Sequence, residues 1–531
     1  MSAIHKWKNI ISGLSLVALL VASPEFCFAQ PTYLPLNRDF NALFDTRSEL
    51  TGSGFYSSIR PFMRSQVEEV ISLDSILESA TPGFMDFALR EEKIQGENTV
   101  EIYPLPDLKY GREFVLGDSY NVTGLGIFGL ATFGEKLAVA ATYTTTNGGF
   151  VNYVDSFVKA TEVVPGLGYA HPTQEGYAYT NFAGYVSYSP SDYFNFQLGQ
   201  GKNFFGNGYR SLLLSDVANN YPFFKINTTI WKIKYVNLFT MMNSVEGSGG
   251  KHNNYQRKYA SFHYLSWNAA KWLNISLFES IVWAGEDSSG VRGYDINYLN
   301  PIIFYRPVEF SLGSSDNAIL GTNIAAKISK SVLIYGQGVL DEFFLVHITT
   351  RDGWWANKQG FQLGVRAWNL FNVKGLSCLL EYNRVRPFTY THGRKIQNYS
   401  HFNQPLAHPL GANFYETTAF LRYAKGPYSV EGSFVYAVKG IDPPGSNYGG
   451  DIFLDANTPR TKDYDNFIGQ GIATTVIIGG IKAAYLIYPA ANLKLEMGLS
   501  MRSQSSSVNS ENSTLLTIGV TTTLNNIYHD F

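Results

Sequence analysis

The chain has 531 residues, with 41 Lys and Arg against 43 Asp and Glu, so its near-zero balance offers no basic excess for nucleic acid. Aromatics make up 15% of it (37 Phe, 35 Tyr, 8 Trp) and glycine numbers 49. Past the N-terminal leader no run of about 18 apolar residues occurs, which excludes a membrane-crossing helix.

The first 29 residues read as a signal peptide. His5, Lys6 and Lys8 form a basic start, Ile10 to Ala22 an apolar stretch, and Cys27-Phe28-Ala29 a small-x-small cleavage signal, so the mature chain is expected to begin at Gln30. Glu25 and Phe26 do not make a lipobox, which argues against lipid attachment at Cys27. Cleavage leaves Cys378 alone and excludes an internal disulfide framework.

Residues 30–115 read as a small helical N-terminal module. Met63, Val67, Val70 and Ile71 recur at helical spacing, 73–80 continues as a second short helix, and Phe40, Leu43 and Phe44 suggest a helical turn upstream. Two placements stay open, a plain periplasmic extension or packing at the mouth or inside of a barrel.

From 116 to 531 the pattern changes to segments of about ten residues that alternate apolar and polar. Leu125, Ile127, Gly129, Ala131 and Phe133 run to Gly134-Glu135-Lys136, and Leu137, Val139, Ala141 and Tyr143 return. Phe182, Gly184, Val186 and Tyr188 precede Ser189-Pro190-Ser191-Asp192, after which Phe194, Phe196 and Leu198 alternate with Asn195, Gln197 and Gly199. Near the end, Leu493, Leu495, Met497, Leu499 and Met501 fall on one face and Lys494, Glu496, Gly498, Ser500 and Arg502 on the other. In an exported chain the apolar face meets lipid and the charges line a wet lumen, which predicts an all-β fold, a transmembrane antiparallel outer-membrane barrel. The length fits about 16 to 18 strands. Short connections are expected at the periplasmic end, and the long polar stretches near 145–180, 284–315, 384–415 and 440–470 outside. Glu279 interrupts the apolar face of Leu273, Ile275 and Leu277, as a bulge or a charge near the rim would. The terminal Phe531 is a feature of many proteins handed to the outer-membrane assembly machinery, although it is out of phase with the alternation that ends at Leu524.

No segment has the pattern of a catalytic or cofactor site. The glycines of 199–208 lack P-loop spacing and a following helix, and suit tight bends where a strand leaves the membrane and folds over the mouth. No histidine is tied to Ser119 of Gly117-Asp118-Ser119, and His392, His401 and His408 lack metal-ligand spacing. The expectation is therefore no enzyme, no cofactor and no metal. Candidate contacts for a surface ligand or partner are Trp354, Trp355, Arg384, Arg386, His401 and His408. Trp354-Trp355, between Arg351-Asp352 and Asn357-Lys358, suits sugar stacking and equally suits the interfacial aromatic girdle.

Four blocks carry a family resemblance. They are the glycine-rich run 199–216 with Asn219-Asn220-Tyr221-Pro222; Tyr305-Arg306-Pro307-Val308-Glu309-Phe310 with Gly313 to Leu320, then Tyr335-Gly336-Gln337 to Asp341-Glu342-Phe343; Glu381-Tyr382-Asn383-Arg384-Val385-Arg386-Pro387; and the run 400–413. Together they resemble Wzi-type capsule-assembly outer-membrane proteins, in their Bacteroidetes branch, close to RemB-type gliding-motility proteins. The chain departs from the capsule proteins where Asn203-Phe204-Phe205-Gly206 stands in place of Trp-Gly-Pro-Gly. The resemblance implies a non-enzymatic barrel of the cell outer membrane, with lipid around it. It implies a role in surface assembly, capsule or exopolysaccharide attachment or gliding motility, and as partners surface polysaccharide or the gliding and secretion machinery. The alternative is an outer-membrane channel for solutes.

Overall fold

The computed structural model describes residues 31–44, 54–73, 76–77, 92–95, 98–287, 290–301, 316–342, 344–457 and 459–531. The expected signal peptide, most of the expected helix at 73–80 and the block Tyr305 to Phe310 lie outside these residues.

Alternation is realised as an 18-strand closed antiparallel barrel. Its strands are β1 Asn98–Glu113, β2 Ser119–Phe133, β3 Leu137–Gly148, β4 Gly176–Ser191, β5 Phe194–Gly201, β6 Tyr221–Ile230, β7 Ile233–Ser244, β8 Gln256–Ala270 and β9 Leu273–Ala284. They continue with β10 Asn317–Ser329, β11 Val332–Glu342, β12 Lys358–Trp368, β13 Leu376–Val385, β14 Phe414–Lys425, β15 Tyr428–Ile441, β16 Ile472–Tyr488, β17 Leu493–Ser505 and β18 Ser510–Thr522. Each strand pairs with its neighbours in the chain, and β18 closes on β1 from Leu515↔Glu113 to Val520↔Leu108. Closure pairs the backbone polar groups around the ring, save on the β18-facing side of β1 before Leu108, which is what lets the exterior sit in hydrocarbon.

The pleat sorts side chains as the alternation demands. On β17, Leu495, Met497 and Met501 are exposed on the outer wall while Lys494 and Arg502 are buried on the inner one. Leu125, Ile127, Tyr143, Phe182, Val186 and Leu198 continue the apolar exterior. Seven connections at one end, 134–136, 192–193, 231–232, 271–272, 330–331, 426–427 and 489–492, are tight turns. Tyr193, Trp231, Trp272 and Tyr428 are exposed beside them, where amphipathic rings suit the membrane interface. The long connections 149–175, 202–220, 285–316, 386–413 and 442–471 leave from the opposite end, so that end faces outside.

The barrel starts at Asn98, inside the stretch read from sequence as a helical module ending at 115. Pro104 and Pro106 disguise β1 as a non-strand, because proline lacks the ladder donor. Only 108–113 of β1 pair with β18, so both prolines lie where that side of the strand is unpaired. Earlier in the chain lie two helical turns, Arg38–Asn41 and Arg64–Glu68, with Phe40, Phe44, Val67 and Ile71 in one apolar cluster.

These described N-terminal residues bond to inward-facing side chains near the short turns. Tyr33 Oη donates to Asn195 Oδ1 (2.6 Å), Lys234 Nζ donates to Gln66 Oε1 (2.7 Å), and Ile59–Arg60 pairs antiparallel with Phe204–Phe205. Farther toward the outside, loops 202–220 and 386–413 dip into the lumen. Leu212, Leu213, Leu214, Tyr390, Tyr399 and Leu406 form a dry core there with Val236, Leu238, Phe262 and Phe278 of the wall. The C-terminal tail also turns inward, and Phe531 packs 5.0 Å from Phe157 of the helix Asn152–Thr161. Glu279 is neither at a bulge nor at the rim, since β8 and β9 pair without interruption from Lys258↔Ala284 to Trp267↔Ile275.

Candidate functional site at the outer mouth

Three outer loops meet where the sequence placed its tryptophan pair. The loop after β11 makes the short helix Leu345–Thr350, then turns through Arg351 and Gly353, both at positive φ, so that Trp354 and Trp355 follow a reversal of the chain. Asp352 holds the turn: its carboxylate accepts from the Trp354 backbone N–H (3.1 Å) and pairs with His347 Nδ1 (2.5 Å). The 442–471 loop zips onto this turn, with Trp355 N–H donating to Asp463 O (2.9 Å), Asp465 N–H to Asp352 O (2.8 Å) and Asn466 N–H to Gly353 O (3.0 Å).

The result is a cluster of rings and cations. Trp354 stacks on His347 (4.9 Å, 20°) and lies 4.9 Å from Tyr464. Trp355 meets Phe388 edge-on (5.8 Å) and carries the Arg460 guanidinium 3.8 Å over its ring, a cation–π contact. Arg386 enters from the third loop, donating from Nε to Asn357 O (2.8 Å) and from Nη2 to Trp354 O (3.3 Å). Both indole N–H groups are shielded from solvent and have no hydrogen-bond partner among the described residues. A buried indole donor normally finds one.

Of the six residues singled out from sequence, the fold brings Trp354, Trp355 and Arg386 together. Arg384 is on the outer face of β13, exposed, with its guanidinium 6.0 Å from the Phe361 ring. His401 and His408 are not at the surface at all, which corrects that expectation. Past Phe388 their loop folds down into the lumen. His401 Nδ1 accepts from Asn243 N–H (3.1 Å), and burial pushes its pKa down to about 3. His408 Nε2 lies 2.7 Å from a Glu416 carboxylate oxygen, and burial lowers its pKa as well.

The Glu416 contact belongs to a buried network that sequence reasoning missed. Arg210 pairs with Glu416 (3.1 Å) and with Asp530 of the C-terminal tail (3.1 Å). Glu381 accepts from the backbone N–H groups of Tyr209 (2.9 Å) and Arg210 (3.1 Å) and from Tyr335 Oη (2.8 Å). A Cβ at Gly208 would stand 2.2 Å from Glu381 Oε2 and 2.8 Å from the Arg210 backbone carbonyl oxygen, so glycine suits this seat. The glycine-rich run thus docks a loop onto the wall. His347, Phe388, Arg460 and Tyr464 were missed too, because nothing local to them marks them as neighbours of Trp354 and Trp355.

Away from this cluster, a concavity of about 480 Å³ lies in the lumen along β15–β18 and β1–β4. Thr144, Thr517, Tyr120, Tyr179, Lys482 and Lys494 are among the residues lining it.

No protein-family model matches the chain, and no curated protein matches it. Among solved structures it is similar to Wzi of Escherichia coli, described as an outer-membrane protein involved in group 1 capsule assembly and a carbohydrate-binding β-barrel. That likeness has a TM-score of 0.55 at 14% identity, covering 92% of this chain and 99% of that one. OprD of Pseudomonas aeruginosa matches with a TM-score of 0.42 at 11% identity, over 79% of this chain and 94% of that one. The likeness to Wzi is one of fold, and with the closed ladder and apolar exterior it makes this chain an outer-membrane β-barrel.

Proposed function

We propose that the protein is a non-enzymatic surface-assembly barrel that holds capsule or exopolysaccharide at its outer mouth. The observation that carries this reading is the cluster of Trp354, Trp355, Tyr464, Arg386 and Arg460. Pyranose rings present C–H faces that stack on aromatic surfaces, and guanidinium groups bind hydroxyls and the carboxylates of acidic sugars. The dry core in the lumen supports it, because it turns the barrel into a rigid platform for outer loops. The fold shared with Wzi, whose description couples capsule assembly with carbohydrate binding, points the same way. A part in gliding would use the same outer surface for a motility partner.

The test is the double variant Trp354→Ala/Trp355→Ala. At about 0.5–1.5 kcal/mol per aromatic contact, its affinity for purified surface polysaccharide should fall about 10-fold, with capsule loosened from cells or spreading impaired. Unchanged binding by the variant would remove the cluster from the function.

Passage of solutes is the second reading, and the lumenal cavity of about 480 Å³ favours it. Steady large openings in a planar bilayer, together with reduced solute uptake and normal capsule and spreading in a deletion strain, would establish it in place of the first.

A further inference from the structure

Midway up the outer wall, β7, β8 and β9 carry a row of polar side chains where lipid-facing residues belong. Asn237 pairs with His263 and His263 with Glu279 in the sheet register, and all three are buried. They alternate with inward residues of the lumenal core, Val236 and Leu238 on β7 and Phe262 and Tyr264 on β8, so they point outward. His263 stands four residues above Trp267 on the same face of β8. At about 3.3 Å per residue and a tilt of about 40°, that is roughly 10 Å into the apolar belt. Bare polar groups at that depth would be costly.

The described segment 290–301 lies against Asn237 and His263 of this row from outside the barrel. This segment starts at the rim, where Trp283 Nε1 donates to Gly293 O (2.9 Å) and Tyr294 packs 4.6 Å from Tyr259. Tyr298, fully buried, packs 5.1 Å from Trp283 and donates to Asp316 Oδ2 (2.9 Å). Asn237 Nδ2 donates to Pro301 O (3.1 Å), and His263 meets the backbone of Asn300. The strap's exposed large side chains are apolar: Val291 is 83% exposed and Ile296 82%, with Tyr294 and Leu299 also exposed, beside Asn297 and Asn300. This surface continues the lipid-facing belt of Leu277 and Leu320 on the adjoining wall.

We propose that 290–301 is a lipid-inserted strap, clamped to the wall by Asn237 and His263 and presenting Ile296 and its neighbours to acyl chains of the outer leaflet. Its occupant follows from continuity with the belt and from the bonds that the Asn300 and Pro301 backbone makes to the wall. Anchoring the loop beside the mouth would fix the height and tilt of that mouth at the membrane surface.

The test uses nitroxide labels on single cysteines at Ile296, at Leu495 as a lipid reference and at Asn509 as an aqueous reference. Each is placed in the full chain without its native cysteines and reconstituted in phospholipid vesicles. Relaxation by oxygen against relaxation by a water-soluble nickel chelate should place Ile296 with Leu495. Asn237→Ala should then loosen the Ile296 label while unboiled protein still migrates as a folded barrel. Nickel access equal to that at Asn509 would overturn the proposal. So would shielding from both agents, which would mean a second copy or another protein covers the strap, or a label that Asn237→Ala leaves unmoved.

Discussion

Removing one carboxylate should unseat the N-terminal segment from the lumen. Asp39, on the helical turn Arg38–Asn41, accepts from Lys494 Nζ (2.7 Å), Lys482 Nζ (2.8 Å) and Arg422 Nη1 (3.0 Å), residues of three different strands. Burial alone would raise its pKa, but these cations and Arg38 hold it well below the usual carboxylate range. In Asp39→Ala, Arg38, Arg422, Lys482 and Lys494 are left facing Glu431 and Glu496 alone. Breaking a fully buried pair costs about 3–5 kcal/mol, and this site is partly wet, so about 3 kcal/mol is expected. That shifts the docked-to-undocked equilibrium of the segment about 150-fold. Limited proteolysis of the purified barrel should show new cleavage within 31–44, and bilayer recordings should show openings or noise that the parent lacks. Asp39→Asn should lie between the two. Proteolysis, bilayer and melting behaviour indistinguishable from the parent would refute the idea that this ion cluster seats the segment.

Neighbouring residues on β17 should respond oppositely in kind. Leu495→Arg puts a cation on the lipid face and should cost about 2–4 kcal/mol, seen as lost insertion into liposomes. Lys494→Gln keeps a hydrogen-bonding group toward Asp39 and should insert normally, with a melting loss of about 1 kcal/mol; equal insertion defects at both sites would mean the faces are misassigned. Acid should loosen the lumenal loops through His401. Burial holds its folded-state pKa at about 3, below the ordinary 6.5, so the folded chain binds fewer protons than the unfolded one. This contribution is intact above pH 6.5 and is lost by about 1.4 kcal/mol per unit as pH falls toward 3. His401→Gln should flatten the pH dependence of the melting temperature over that window, and an unchanged slope would exclude His401 as its source.

Period-2 alternation by itself determined the barrel and its two faces, and the two sizes of connection determined its orientation. A one-residue slip would move every apolar side chain of a strand to the wrong face, so each strand carries its own register. Leu495 outward and Lys494 inward were legible for that reason, and the tryptophan pair was legible as a dipeptide. β1 was hidden because Pro104 and Pro106 are tolerated only by its unpaired stretch, a fact of closure and not of local pattern. Tertiary structure alone decided which loops enter the lumen and which stay outside. Loop 386–413 reads as polar and outward, yet Tyr390, Tyr399 and Leu406 bury in the wall's core while His401 and His408 find partners on β7 and β14. Arg460 and Tyr464 reach Trp354 and Trp355 only because the two loops leave the same end of a closed ring. Glu279, which looked like a flaw in β9, is a buried residue of the outer wall, paired in register with His263 of β8. Such pairings join residues far apart in the chain through side chains of no periodic pattern, so no local signal encodes them.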